Sequence, residues 1–291
     1  MTDDDEAWIG RLAGEFDLPS RPDVLLTVSR LLNGFAPDLY QILRIVRQDA
    51  ALSARTLHQA NRGSRRVASI EEAGLMLGLM GMRRVVDRLF LKAKLIGRDN
   101  GLHEIRLRAV QAGVLSRYVA LSLPALSPNC SNGYLPVVEP EEAYTLGLFH
   151  DCGIPAMMNW FSDYYPLYQT THASGGRLLA QAEQERFGID HGRISFLLCR
   201  SWHFPKAICR VIREHHTIEQ LIVPGQRTRR RKTAILQAIL HLAERLGQEM
   251  PDHEWQVLQA EIFRFLAIGD HEWSQLQRNA PVMSFDERAA R

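Results

Sequence analysis

His150 and Asp151 stand side by side where an apolar run ends, in Leu146-Gly-Leu-Phe-His-Asp-Cys-Gly153. An imidazole nitrogen and a carboxylate oxygen on adjacent residues can meet on one metal ion. The same letters also describe a plain helix end, with Asp151 near solvent and Gly153 at the C-terminal cap. Companions elsewhere in the chain bear on the choice. His191, Ile194, Leu198 and Trp202 recur at helical spacing, which places His191 on an inward face. Pro205 opens a further helix, on which Ile208, Val211, Ile212 and His215 share the inner side. His216 follows about 100° around that axis. Inward-facing imidazoles must be hydrogen-bonded or ligated. His191 and His215 therefore need partners, with His216 beside them. No residue is assigned a catalytic role. Cys152, beside the pair, reads as a small buried hydrophobe rather than a nucleophile.

The elements that must position these side chains are helices. Val24, Leu25, Val28, Leu31 and Leu32 recur with helical period after Pro22, a residue suited to a first turn. Further apolar stripes run through Leu39–Val46 and Ala50–Ala60. Ser69-Ile-Glu-Glu72 reads as a capping box ahead of the next helix. That helix breaks near Gly78 and Gly81 and resumes through Val85, Val86 and Leu89. A long helix is predicted over Glu104–Leu121. Residues 122–140 hold four prolines and read as a loop, and helix resumes at Glu141. Residues 163–182, with Tyr164, Tyr165 and Tyr168, read as a loop leading into a helix, its aromatics packed on the core or lining a pocket. Residues 225–232 form a basic linker, and two more amphipathic helices follow. No alternating strand pattern stands out, so the fold class is all-α.

Composition narrows the function classes. The chain has 291 residues, 46% hydrophobic and 23% charged, ordinary for a globular protein. A formal net charge of +2 gives no strong pull toward nucleic acid, and no basic recognition helix stands out. The basic run Arg227–Lys232 reads first as a solvated linker. Four cysteines without a CxxC pair indicate neither a zinc ribbon nor a disulfide framework, which fits a reducing, cytoplasmic setting. The acidic start lacks the pattern of a signal peptide. No uncharged apolar run is long enough to span a bilayer.

The order of features resembles one family. Leu18-Pro19, Gln48-Asp49-Ala50-Ala51-Leu52-Ser53-Ala54, Ala60-Asn61, Ser69-Ile70-Glu71-Glu72-Ala73 and Leu77-Gly78 come first. Gly147–Gly153, Glu185–His191, Trp202-His203-Phe204-Pro205 and Ile212–His216 follow. Together they resemble the HDOD domain, a relative of HD-type metal phosphohydrolases, over roughly two thirds of the chain. The resemblance implies a two-lobed helical fold, an N-terminal bundle plus an HD-like lobe. It divides the chain into an N-terminal segment (1–17), the N-terminal lobe and linking helix (18–121), the HD-like lobe (122–217) and a C-terminal helical extension (218–291). It also implies bacterial signal transduction by a non-catalytic interaction module. The partner would be a signalling protein such as a response regulator or sensor kinase, as in a two-component system.

Active HD enzymes hold their metal with an upstream His, the His-Asp pair and a later Asp, and often use further histidines for a second ion. The resemblance puts His150 and Asp151 at the pair and matches His191 and His215 or His216 to the later histidines, the remnant of a metal-ligating set. Aligned on that pattern, Arg108 stands where the upstream His belongs, and a guanidinium has no lone pair to ligate. His103 lies five residues earlier on another face, and Glu244 replaces the later Asp. The expectation is a degenerate site in which Arg108 pairs with Asp151 in place of a metal. No cofactor is expected, and a divalent metal is the one group left open. The alternative is a metal-dependent phosphohydrolase acting on a nucleotide or cyclic dinucleotide.

Overall fold

The computed structural model describes residues 22–93, 102–171, 176–216, 228–248 and 253–281. Among these residues every regular element is a helix. The N-terminal bundle comprises α1 (Pro22–Leu32), α2 (Leu39–Val46), α3 (Ala50–Ala60) and α4 (Ile70–Ala93). Local chemistry sets the boundaries. Asp38 and Asp49 have extended backbones and cap α2 and α3 by accepting hydrogen bonds from the Tyr40 and Leu52 amides. Asn61 ends α3 and ties the following loop, exchanging two hydrogen bonds with the backbone of Val67. Ser69 accepts from the Glu72 amide as a cap should, but the Glu72 carboxylate pairs with Arg65 instead of turning back, so the box is half formed. Gly78 kinks α4 at φ 59°, a conformation that costs glycine little and other residues much.

The second part is built on α5 (Leu102–Leu126) and the short α6 (Pro128–Ser131). It continues through α7 (Pro140–Phe149), α8 (Gly153–Trp160), α9 (Tyr164–Thr171) and α10 (Gly176–Phe187). Helices α11 (His191–Ser201) and α12 (Lys206–Glu214) complete the portion before the C-terminal helices. The expected loop over 122–140 is shorter than the proline count suggested. Pro124 sits in the last turn of α5, and Pro128 opens α6 behind its Ser127 cap. Residues 164–171 are likewise helical, with Pro166 tolerated in the first turn.

Helix α13 (Thr228–Gly247), α14 (His253–Leu266) and α15 (Asp270–Asn279) close the molecule. They pack on the core: Leu236, Ile239, Leu240, Leu258, Ile262 and Leu276 are fully or almost fully buried. Helix α5 is the axis, packed against α7 and α13 through Ala112, Leu115, Val119 and Leu123. By length and composition its segment Glu104–Leu126 could cross a membrane, the one such helix among the described residues, and here it forms the packed centre of the fold. The N-terminal bundle meets it through Arg47, which pairs with Glu71 of α4 and Glu141 of α7 and lies 4.2 Å over the Tyr144 ring. Residues 1–17, the Arg227 side of the basic linker and the chain end lie outside the described residues.

Candidate metal centre

The stretch Gly147–Gly153 runs from the last turn of α7 through a tight turn at residues 150–152 to the start of α8, and its two glycines allow close packing. A side chain at Gly147 would meet the Ala112 carbonyl oxygen of α5 at 2.4 Å, and one at Gly153 the His191 carbonyl oxygen of α11 at 2.2 Å. Gly153 thus begins α8 and is not a C-terminal cap. The turn between them carries His150 and Asp151 out of the α7 end toward α11, α12 and α13.

There the chain brings together Asp151, His191, His215 and His216, whose candidate donor atoms all lie within 4.8 Å of one another. Asp151 Oδ1 is 3.4 Å from Nε2 of both His191 and His215. Nε2 of His191 and His216 are 3.0 Å apart. Each ring's other nitrogen is engaged. His191 Nδ1 donates to Glu183 at 2.7 Å, His216 Nδ1 to Glu254 at 3.1 Å and His215 Nδ1 to the Ile212 carbonyl at 2.6 Å. These partners place the neutral-ring hydrogen on Nδ1 and aim the Nε2 lone pairs inward. Such outer acceptors are what metal-ligating histidines require.

The observation that tests the fit is a pair of orphans. Asp151 Oδ1 and His215 Nε2 are buried and have no hydrogen-bond partner. Two acceptors facing each other without a hydrogen repel, and a cation between them removes the cost. The donor set, three imidazoles and one carboxylate, fits a divalent transition ion better than calcium or magnesium. Asp151, His191, His215 and His216 would hold it. When bound, such an ion supplies Lewis-acid polarisation of an oxygen on a ligand.

His150 faces the other side of the same carboxylate. Its Nε2 is 3.2 Å from Asp151 Oδ2 and 3.3 Å from Glu244 Oε1, and its Nδ1 donates to the Gly147 carbonyl at 2.8 Å. His150, Asp151 and Glu244 therefore converge as a second donor group beside the first. His241 backs Glu244 at 3.4 Å and reaches the His215 carbonyl at 2.8 Å.

Without a metal, protons do part of its work. Burial alone would lower the His150 and His191 pKa values, but Asp151 and Glu244 around the first, and Glu183 and Asp151 around the second, raise both well above the ordinary imidazole range. Burial would raise Asp151, yet His150, His191 and His215 hold it well below the usual carboxylate range. His215, buried and beside His216, is pushed down to about 4. Glu244 is lowered by His150 and His241 against the effect of burial.

Arg108 does not take the role assigned to it. Its side chain is half exposed, and its Nε and Nη2 both donate to Glu104 Oε1 one turn back along α5, at 3.1 and 2.9 Å. The expected Arg108–Asp151 pair is absent because Glu104 offers an i,i+4 carboxylate in solvent, with no desolvation cost. Arg108 instead lines a cavity of about 640 Å³ above the cluster, with Ile105, Tyr168, Leu179, Arg245 and Trp255. The His103 side chain lies outside the described residues.

Sequence reasoning missed the outer carboxylates. Glu183 is fully buried on α10, where it accepts from both the backbone and ring of His191 and from the Tyr164 hydroxyl at 2.5 Å. Its signal in the sequence was one acidic residue on a helix otherwise charged on its outer face. Glu254, 7% exposed, announces itself by no local pattern.

Fold and site together define an all-helical protein with an HD-type histidine–aspartate cluster. The model of the HDOD domain matches residues 18–218, and the chain belongs to the HDOD domain family. The MmoQ response regulator from Methylococcus capsulatus has the same fold, with 24% identity, a TM-score of 0.64, and coverage of 90% of this chain and 98% of that one. A virulence factor from Campylobacter jejuni is similar at 16% identity and a TM-score of 0.56, covering 99% of this chain and 95% of that one. An uncharacterized protein from Treponema pallidum is 24% identical over 210 residues, 69% of this chain. The chain spans 38% of the length of that curated relative.

Proposed function

We propose that this protein is a regulatory HDOD module that binds a divalent transition-metal ion in its HD-like part and acts through a protein partner without turnover. The observation that carries the metal reading is the convergence of Asp151, His191, His215 and His216 on one point, each ring fixed by an outer acceptor. The metal then serves as a structural brace joining α11, α12 and the Asp151 turn. The non-catalytic reading follows from Arg108, which occupies the upstream ligand position of active relatives, turns to Glu104 and leaves the His150 group one ligand short. Signal transduction, with a response regulator or sensor kinase as partner, follows from the family resemblance.

A second reading has its own observation. The cavity beside the cluster, with Arg108 and Arg245 in its wall, has room for a small phosphorylated ligand. That arrangement suits a phosphohydrolase acting on a nucleotide or cyclic dinucleotide. Protein loaded with manganese, iron or zinc and incubated with bis(p-nitrophenyl) phosphate and with a cyclic dinucleotide separates the two. Metal uptake without hydrolysis supports the regulatory reading. Hydrolysis that disappears in D151N establishes the enzyme.

A further inference from the structure

We infer that Glu254, on α14, is the positioning residue for His216, so that the C-terminal helices beyond the family-matching segment are part of the metal centre. This rests on the metal reading above and adds to it an element outside the HDOD match, which ends at residue 218.

The four inward histidines differ in what holds them. His150 and His215 donate Nδ1–H to carbonyls of their own helices, at Gly147 and Ile212. Their orientation is secured as soon as α7 and α12 form. His191 is held by Glu183, eight residues before it, through both ring and backbone. His216 follows the end of α12, and the acceptor of its Nδ1 is the Glu254 carboxylate, at 3.1 and 3.2 Å from the two oxygens. That carboxylate is 38 residues away in the chain and reaches His216 only when α14 is docked.

Several contacts dock α14. Trp255, next to Glu254, packs against Trp273 of α15 at 5.3 Å and against Phe263 at 6.1 Å between ring centroids. At the far end of α14, Ser127 donates to the Leu266 carbonyl, and Asn129 donates to the Phe265 carbonyl at 2.9 Å. The α5–α6 corner therefore fixes where Glu254 stands. Without the carboxylate nothing holds the hydrogen on His216 Nδ1, and the Nε2–H tautomer directs a hydrogen at His191 Nε2, 3.0 Å away. Loss of an outer acceptor of this kind typically weakens metal binding about 10–100-fold.

The test uses the full chain with E254A and E254Q. Cobalt(II) titration, followed by the visible absorption of the bound ion, reads affinity and coordination. Nitrogen-15 NMR of the metal-free protein reads the His216 tautomer. The expected result is about 10–100-fold weaker cobalt binding in E254A. E254Q should be intermediate, because an amide oxygen still accepts from Nδ1–H. In metal-free E254A the His216 Nδ1–H form should no longer dominate. Wild-type affinity and an unchanged cobalt spectrum in both variants would overturn the inference while leaving the metal reading intact. Absence of cobalt binding by the wild type would remove the metal reading, and the tautomer measurement would then decide the inference alone: a shift in E254A supports it, and no shift overturns it. E254Q, which keeps size and hydrogen bond, serves if E254A fails to fold.

Discussion

Gly153 lies so close to His191 that a Cβ at 153 would stand 2.2 Å from the His191 carbonyl oxygen and 2.9 Å from the Ser195 amide nitrogen. The Gly153 amide also donates to Ser195 Oγ at 2.7 Å. This contact between α8 and α11 fixes the distance from Asp151 to His191.

Substitution G153A should therefore damage fold and site together. The opposing atoms are backbone and cannot turn aside, so the helices must separate, at a cost of about 1–3 kcal/mol or more. Thermal unfolding should fall by several degrees, and metal affinity should fall with it. A variant with the wild-type melting temperature would show that α8 and α11 are less tightly apposed than described.

Arg47 joins the N-terminal bundle to the rest. It reaches Glu71 at 2.5 Å and Glu141 at 3.1 Å, its carbonyl accepts from the Tyr144 hydroxyl at 2.5 Å, and its side chain is 17% exposed. R47A leaves two carboxylates facing each other half-buried, and should cost about 1–3 kcal/mol in a urea melt. R47K should recover only part, since an ammonium lacks the rigid planar fork of a guanidinium and stacks poorly on Tyr144. Full recovery by lysine would mean that charge alone matters.

His58 should weaken the protein in mild acid. Burial, reinforced by Arg55, His203, Arg62 and Arg88, lowers its pKa to about 4. The unfolded chain takes up this proton near pH 6.5 and the folded chain only near pH 4, so the unfolded state binds more protons between these values. His58 thus costs stability as pH falls through that window. H58Q should lose less stability than the wild type between pH 6.5 and pH 4 when both are melted in parallel. Identical slopes would contradict the assigned environment.

Much of the fold was written in apolar spacing. The faces carrying Ile194, Leu198 and Trp202, and Ile208, Val211 and Ile212, are buried as that spacing predicts, and they carry His191 and His215 inward with them. Prolines misled where they fall at helix ends: Pro128 and Pro166 sit in first turns, where the missing amide hydrogen costs little, and Pro124 sits in the last turn of α5, where it gives up one hydrogen bond just before the helix stops. The inner donors were legible because adjacency and helical phase are local properties. Glu183 and Glu254 were not, because an outer acceptor is defined by where another helix docks. Arg108 was misplaced for a related reason. Alignment gives a position along α5, but the side chain's partner is set by competition, and Glu104 one turn away wins it.

In the proposed reading Asp151, His191, His215 and His216 together hold one divalent ion. The most direct measurement is elemental analysis of the full chain after dialysis against a zinc, manganese and iron mixture and removal of loose ions, beside the double variant H191A/H215A. One ion per chain in the wild type and none in the variant is the predicted result. A wild-type chain that emerges free of metal, or a variant that retains the same ion, would contradict it.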